Sequence, residues 1–268
     1  MEMEFRILGP LEVHSDGQAL DLGGTKQRSL LAVLLLHANQ VVSQDRLVDA
    51  LWESDPPGTA HKALQVHVSG LRKLLGKERL ETRPPGYLLR VADDELDLER
   101  FRQLREHGML AEALALWRGS PLSDFAYDGF AQAEIARLED QRLACLEERI
   151  DQELDTGRHA ELTGELEVIV AENPLRESLR GQLMLALYRS GRQAEALEAY
   201  QQARSTLVDE LGIEPGRELR TLHQAILNQD PALELMSGPP QSAVEEEPAG
   251  ATDGRPLRAT LDREVRKT

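Results

Sequence analysis

Between two glycines the chain reads GTAHKALQVHVSGLRKLLG, residues 58 to 76, a stretch with no carboxylate and with apolar residues recurring at helical spacing. At about 100° per residue, Ala60, Val68, Leu71 and Leu75 all fall within about 40° of Leu64, so the segment reads as a helix with one buried stripe. The opposite face collects Thr59, Lys62, Val66, Ser69 and Lys73, with Gln65 and Arg72 on one flank and Gly70 on the other. A merely solvated face would carry opposite charges one turn apart and no valine. Cations, an amide and a branched apolar side chain are instead the residue types that meet phosphates, base edges and thymine methyl groups in a major groove. Ser69 and Gly70 are small, which would let the helix backbone come close to a duplex.

The segments around this helix have their own periods. Residues 4 to 22, EFRILGPLEVHSDGQALDL, alternate apolar and polar side chains around Gly9-Pro10 and Ser15-Asp16-Gly17, predicting three short antiparallel strands. TKQRSLLAVLLLHA, from 25, and SQDRLVDALW, from 43, read as helices with Thr25 and Ser43 as capping residues and Asp45 in a first turn. ESDPPG ends the second of these, and RLETRPPGYLLRV predicts two strands joined at Pro84-Pro85-Gly86. The predicted order is β-β-β-α-(β)-α-α-β-β, and its final hairpin puts Arg83 beside a narrow turn, where a cation reaches a minor groove that a helix cannot enter.

Charge separates this part from the rest. Residues 1 to 92 hold 11 Lys/Arg and 11 Asp/Glu, while the remaining residues hold 20 and 36, which accounts for the formal net charge of -16. Residues 57 to 90 carry seven basic side chains against Glu78 and Glu81. A polyanion would feel this local excess more than the distant acidity, because salt screens charges beyond about 8 to 10 Å. From residue 93 the pattern is almost wholly helical. GRHAEL at 157 and GRQAEAL at 191 lie 34 residues apart, and each precedes a Pro-x-Arg-Glu helix start, at NPLRE and at EPGRE. A helix-turn-helix unit of about 34 residues is the tetratricopeptide period. The predicted fold is therefore mainly α with small β: short strands, three helices and a hairpin over 1–92, tetratricopeptide-like helices over 93–228, and a disordered tail over 229–268, rich in Pro, Gly, Ser and charge.

Several classes of function find no support. The longest apolar run, LLAVLLL, is far shorter than the roughly 18 to 20 residues of a membrane span, and the acidic first twenty residues do not read as a secretory signal, so the chain is expected to be cytoplasmic and nucleoid-associated. The single cysteine, Cys145, has no partner for an intramolecular disulfide and reads as a core position. DLGGTKQRS lacks the glycine and lysine spacing of a phosphate-binding loop, and His61 and His67, six apart, do not share a helix face as a metal pair would. No catalytic constellation, metal site or cofactor is expected, and the chain reads as a non-enzyme.

The whole arrangement resembles a known family. LQVHVSGLRKLLG followed by TRPPGYLL looks like the winged helix-turn-helix output domain of OmpR-type response regulators, which the resemblance places over 1–92, with a tetratricopeptide-like bacterial transcriptional activation domain over 93–228. With FRILGPLEV, KQRSLLAVLLLHAN, ALWRGSPLSDF and the long segment from GQLMLALYRSGRQAEALEAYQQA to LHQAIL, the chain resembles the Streptomyces antibiotic regulatory protein family over about residues 4 to 228. The resemblance implies a transcriptional activator that binds direct repeats near the -35 element as a homo-oligomer on promoter DNA and recruits RNA polymerase holoenzyme through its principal sigma factor, at the promoters of an antibiotic biosynthetic cluster. Carried onto this sequence, it implies DNA contacts from Thr59, Lys62, Gln65, Val66, His67, Ser69, Arg72 and Lys73, and a wing contact from Arg83. His67 lies near the buried edge, where packing or a single phosphate contact is expected rather than base readout. The loop of Glu53, Ser54, Asp55, Pro56, Pro57 and Gly58 would face the polymerase. Many members carry a bulky or basic residue where this chain has Gly70. No receiver-like segment is read ahead of the first strands, so phosphorylation of an N-terminal aspartate is not expected to be the switch. A competing reading is a tetratricopeptide-like interaction scaffold with no sequence-specific DNA binding; the charge division argues against it, and salt-sensitive DNA binding separates the two.

Overall fold

The computed structural model describes residues 2–53 and 55–234. Three strands open the chain, β1 (Met3–Arg6), β2 (Glu12–Ser15) and β3 (Gln18–Ala19), paired antiparallel in sequence order. Their alternation turns Met3, Phe5 and Val13 inward. Helix α1 (Thr25–Leu36) buries every residue from Ser29 to Leu35, because it runs through the centre of the first core. Its N-cap is Gly24 in an extended conformation, so Thr25 is the first helical residue and not the expected cap. Strand β4 (Val41–Ser43) leads directly into α2 (Gln44–Trp52), and Ser43 does cap this helix, its Oγ accepting from the Arg46 amide at 3.2 Å. Helix α3 (Ala60–Leu75) follows, then β5 (Leu80–Arg83) and β6 (Gly86–Leu89), which pair with β4 in the order β4-β6-β5. Only glycine fits at Gly86, where a Cβ would stand 1.7 Å from the Val42 carbonyl oxygen of the neighbouring strand.

The rest is helical: α4 (Asp97–Glu106), α5 (Leu110–Ala115), α6 (Gly129–Asp155), α7 (His159–Glu172), α8 (Glu177–Arg189), α9 (Gln193–Leu211) and α10 (Arg217–Leu227). The two Gly-Arg turns seen in the sequence do the same job. Gly157 and Gly191 take positive φ, and Arg158 and Arg192, next in the chain, precede α7 and α9 and pair with Glu161 and Glu195. The 34-residue offset is thus an offset between helix pairs, α7 with α8 and α9 with α10. The stretch from glycine to Pro-x-Arg-Glu is longer in the second copy, mainly because α9 has 19 residues against 14 for α7.

The second unit also runs past the expected end at residue 228. Asp230 accepts from the Ala232 amide at 2.9 Å and starts a 3-10 turn over Pro231–Leu233, whose last carbonyl accepts from Arg189 Nε at 2.8 Å. The expectation of disorder from 229 is therefore corrected for residues 229 to 234, because Leu233 packs on the α7–α10 core; the remainder of that tail lies outside the described residues.

The hydrophobic cores do not divide where the composition changes. One core runs from β1 through the winged helix into α4, α5 and the N-terminal part of α6, as far as Cys145, and a second begins at Ile150 on the same helix. The change at residues 92 and 93 is a change of secondary structure within one packed body. Backbone bonds cross it: Phe5 donates to Glu95 O at 2.7 Å, Leu122 to Ile7 O at 3.0 Å and Arg118 to Leu8 O at 2.8 Å. At the centre is Asp97, 3% exposed, whose carboxylate accepts from the amides of Ile7 and Leu8 at 2.9 Å.

Burial pushes the Asp97 carboxyl up to about 6, against the pull of the Ile7 and Leu8 amides and of Arg118, whose Nη2 lies 3.8 Å away. Between about pH 4 and 6 the folded chain then keeps a proton that the unfolded chain has released. The stability from this group is complete below about pH 4 and declines by roughly 3 kcal/mol as pH rises through 6. Asp97→Asn keeps an acceptor for the amides and cannot ionise. In urea unfolding it should gain on the wild type by about that amount between pH 4 and 7; a difference independent of pH would dispose of the burial argument.

Candidate nucleic-acid interface

The stripe of α3 is buried at Ala60, Leu64, Val68, Leu71 and Leu75, against α1, α2 and β5, and this fixes which side faces outward. Thr59, Lys62, Gln65, Val66, Ser69 and Lys73 are exposed together on the other side. Val66, at 69% exposure, is the most exposed aliphatic side chain on this helix. A single exposed aliphatic side chain is common on a protein surface, and here it stands among polar and cationic groups where it can meet an apolar group of a partner. Lys62 and Lys73 have no ion-pair partner among the described residues, so both ammonium groups are available to an anion.

Arg72 differs from its neighbours. It is half-buried, donates from Nε to Leu80 O at 2.8 Å and from Nη2 to Thr82 Oγ1 at 2.7 Å, and lies over the Tyr87 ring, 5.9 Å from its centroid. Its guanidinium braces the β5–β6 wing against α3. Arg83, at the tip of β5, is exposed but donates from Nε to Glu81 at 2.9 Å, and Arg90 shares that same carboxylate. The two arginines hold the Glu81 carboxyl below the usual range, first through the Arg90 hydrogen bond, so the wing presents two cations around one ionised acid.

His67 packs against Trp52 of α2, with ring centroids 6.4 Å apart. Burial, with Lys26 nearby, holds its imidazole below the usual histidine range, so at neutral pH it is an uncharged packing group. Gly70 has a cause that the helical wheel did not contain. The space where its side chain would be is filled by the carboxamide of Gln27 from α1, so the small residue serves that contact instead of a close approach of duplex and backbone.

The α2–α3 loop is pinned at one end. Lys26 Nζ donates to the Leu51 carbonyl, and Glu53, at φ 51°, accepts the Gly129 amide at 2.9 Å. A carboxylate on the first amide of the 27-residue α6 is favourably placed on the positive end of that helix. Glu53 is therefore a clasp between the loop and α6, while Asp55, Pro56, Pro57 and Gly58 are exposed and Ser54 lies outside the described residues. Sequence reasoning missed Gln27, the bracing by Arg72 and the Glu53 clasp. The gap left by Gly70 on an otherwise side-chain-bearing flank was the one available signal for the first; the other two depend on distant chain segments meeting.

Two family models match the chain in order: "Transcriptional regulatory protein, C terminal" over residues 17–89, and "Bacterial transcriptional activator domain" over residues 88–227. Regulatory protein AfsR of Streptomyces coelicolor is 43% identical over 250 residues, 88% of this chain and 25% of its own length, so the chain spans about a quarter of that relative. Regulatory protein DnrI of Streptomyces peucetius is 38% identical over 257 residues, covering 87% of this chain and 94% of DnrI. The solved structure of Mycobacterium tuberculosis EmbR in complex with a low-affinity phosphopeptide superimposes with a TM-score of 0.84 at 37% identity, over 86% of this chain and 66% of that one. Among the described residues no helix is long and apolar enough to cross a membrane.

The Arg72 contacts generate an expectation of their own. Arg72→Ala removes two hydrogen bonds and the stacking on Tyr87, so amide hydrogen exchange in residues 80 to 89 should speed by roughly tenfold while the α7–α10 core is unaffected. Arg72→Lys supplies charge without the planar fork and should restore little of the protection. Unchanged exchange in both variants would show that the wing stands without its brace.

Proposed function

This chain belongs to the Streptomyces antibiotic regulatory protein family of transcriptional regulators, and we propose that it binds promoter DNA through α3 and the β5–β6 wing to activate transcription. The observation that carries this reading is the outward face of α3, where Lys62, Gln65, Val66, Ser69 and Lys73 are exposed together without a carboxylate. Lys62 and Lys73 meet phosphates or guanine edges, Gln65 an adenine, Val66 a thymine methyl, and Ser69 and Thr59 act as small hydrogen-bonding groups at the rim. Arg72 acts from behind, by holding the wing, and Arg83 leaves Glu81 for the minor groove when the duplex arrives. His67 positions α3 on Trp52.

Binding to direct repeats near the -35 element places copies head to tail on one face of the duplex, about 10 to 10.5 base pairs apart, so homo-oligomers form on DNA. The exposed Asp55 to Gly58 loop then contacts RNA polymerase holoenzyme through its principal sigma factor, with Glu53 holding the loop on α6. The regulated promoters belong to a secondary-metabolite cluster, a reading supported by the family to which the chain belongs. No catalytic role is assigned to any residue. The two units are a DNA-binding part over residues 1–92 and an activation part over 93–234, joined by the core they share.

Fluorescence anisotropy of the full chain with the promoter flanking its own gene tests the DNA reading. Neutralising about five phosphates gives a slope near -4 to -5 in log K against log[salt]. Lys62→Ala and Lys73→Ala should each weaken binding across all sequences and reduce the slope by about 1. Binding indifferent to salt and sequence would favour a protein-interaction scaffold instead. In reconstituted transcription with holoenzyme, Asp55→Ala with Pro56→Ala should lower activation several-fold at unchanged DNA affinity; undiminished activation would remove the polymerase role of this loop.

A further inference from the structure

Gln27 belongs to α1, yet its carboxamide occupies the flank of α3. A Cβ built on Gly70 would stand 2.2 Å from Gln27 Oε1 and 3.0 Å from its Cδ, and one on Gly23 would stand 3.2 Å from its Nε2. The amide therefore lies between two glycines, in a notch that neither side chain closes. Its orientation is set, because Nε2 donates to the Leu22 carbonyl at 3.0 Å. That bond uses one of two N–H groups; the other N–H and Oε1 have no protein partner among the described residues, and Oε1 is not closed off from solvent.

Gly70 follows Val66 by one turn and precedes Lys73 by three residues, so the notch adjoins the outward row of α3. An amide held there offers one donor and one acceptor side by side. In the major groove only adenine presents the complementary pair on one base, an N6 donor beside the N7 acceptor. A phosphate would accept the free N–H but repel Oε1, which the Leu22 bond prevents from turning away. We propose that Gln27 is a base-reading residue of this interface, presented through the gap at Gly70, and that the base it reads is adenine. This rests on the DNA-binding reading above and adds to it a specificity determinant from outside α3 and the wing.

Selection of sites from a randomised duplex library tests the idea, using the full chain as wild type, Gln27→Ala, Gly70→Ala and the double variant. Wild type should enrich adenine at one position that Gln27→Ala reads roughly tenfold less well, with the other positions unchanged. Gly70→Ala improves helix propensity, so it leaves α3 folded, but its methyl group displaces the amide. It should flatten the same position, and the double variant should add nothing further. If all four proteins select one site with the same preferences, or if Gln27→Ala weakens every position equally, the amide only packs and the proposal falls while DNA binding stands. If wild type selects no site, the DNA-binding reading falls and takes this inference with it.

Discussion

Two successive amides, those of Ile7 and Leu8, leave the first sheet with no strand to receive them, and both end on the buried carboxylate of Asp97. A buried amide without an acceptor costs about 1 to 3 kcal/mol, so this one side chain compensates two such costs at once. It is also the first residue of α4, which draws the sheet and the helical region into one core with Phe5, Phe101 and Phe125 all fully buried. The remaining architecture follows from that joint. The sheet packs on α1, α1 supports α3, and α6 reaches back to the α2–α3 loop through Glu53.

The outward face of α3 is thus held from behind by parts of the chain remote in sequence. Its position relative to the wing is set by Arg72, and its flank is completed by Gln27. This explains how an acidic protein sustains a basic surface. The 36 carboxylates after residue 92 are paired with arginines in many places, as at Arg105–Glu148, Arg149–Glu165, Arg176–Glu147 and Arg204–Glu214. The exposed pair Arg204–Glu214 adds little stability, with a typical value of about 0 to 1 kcal/mol, while the others are half-buried on at least one side. On α3 itself no carboxylate is present, and Lys62 and Lys73 remain unpaired among the described residues.

Much of this was legible from residue order. The α3 stripe, the Ser43 cap, the PPG hairpin and the Gly-Arg turns are local, and each follows from a period or a turn preference that a few neighbouring residues decide. Thr25 shows the limit even for local rules: Gly24 takes the extended conformation ahead of α1, so the threonine falls one position inside the helix. Arg72 shows a deeper limit. On the wheel it is a cation flanking the face that carries Lys73, but whether a long side chain faces solvent or a carbonyl depends on which strand stands beside it.

The sequence by itself determined the elements, their order, the buried side of α3 and the separation of charge, because these depend on spacing within single segments. Tertiary structure alone decided that the cores divide inside α6 and not near residue 92, that Glu53 holds Gly129, and that the space beside Gly70 belongs to Gln27. The last two are meetings of residues 76 and 43 positions apart, and the first depends on how whole helices pack; periodicity carries no information about which distant surfaces come into contact.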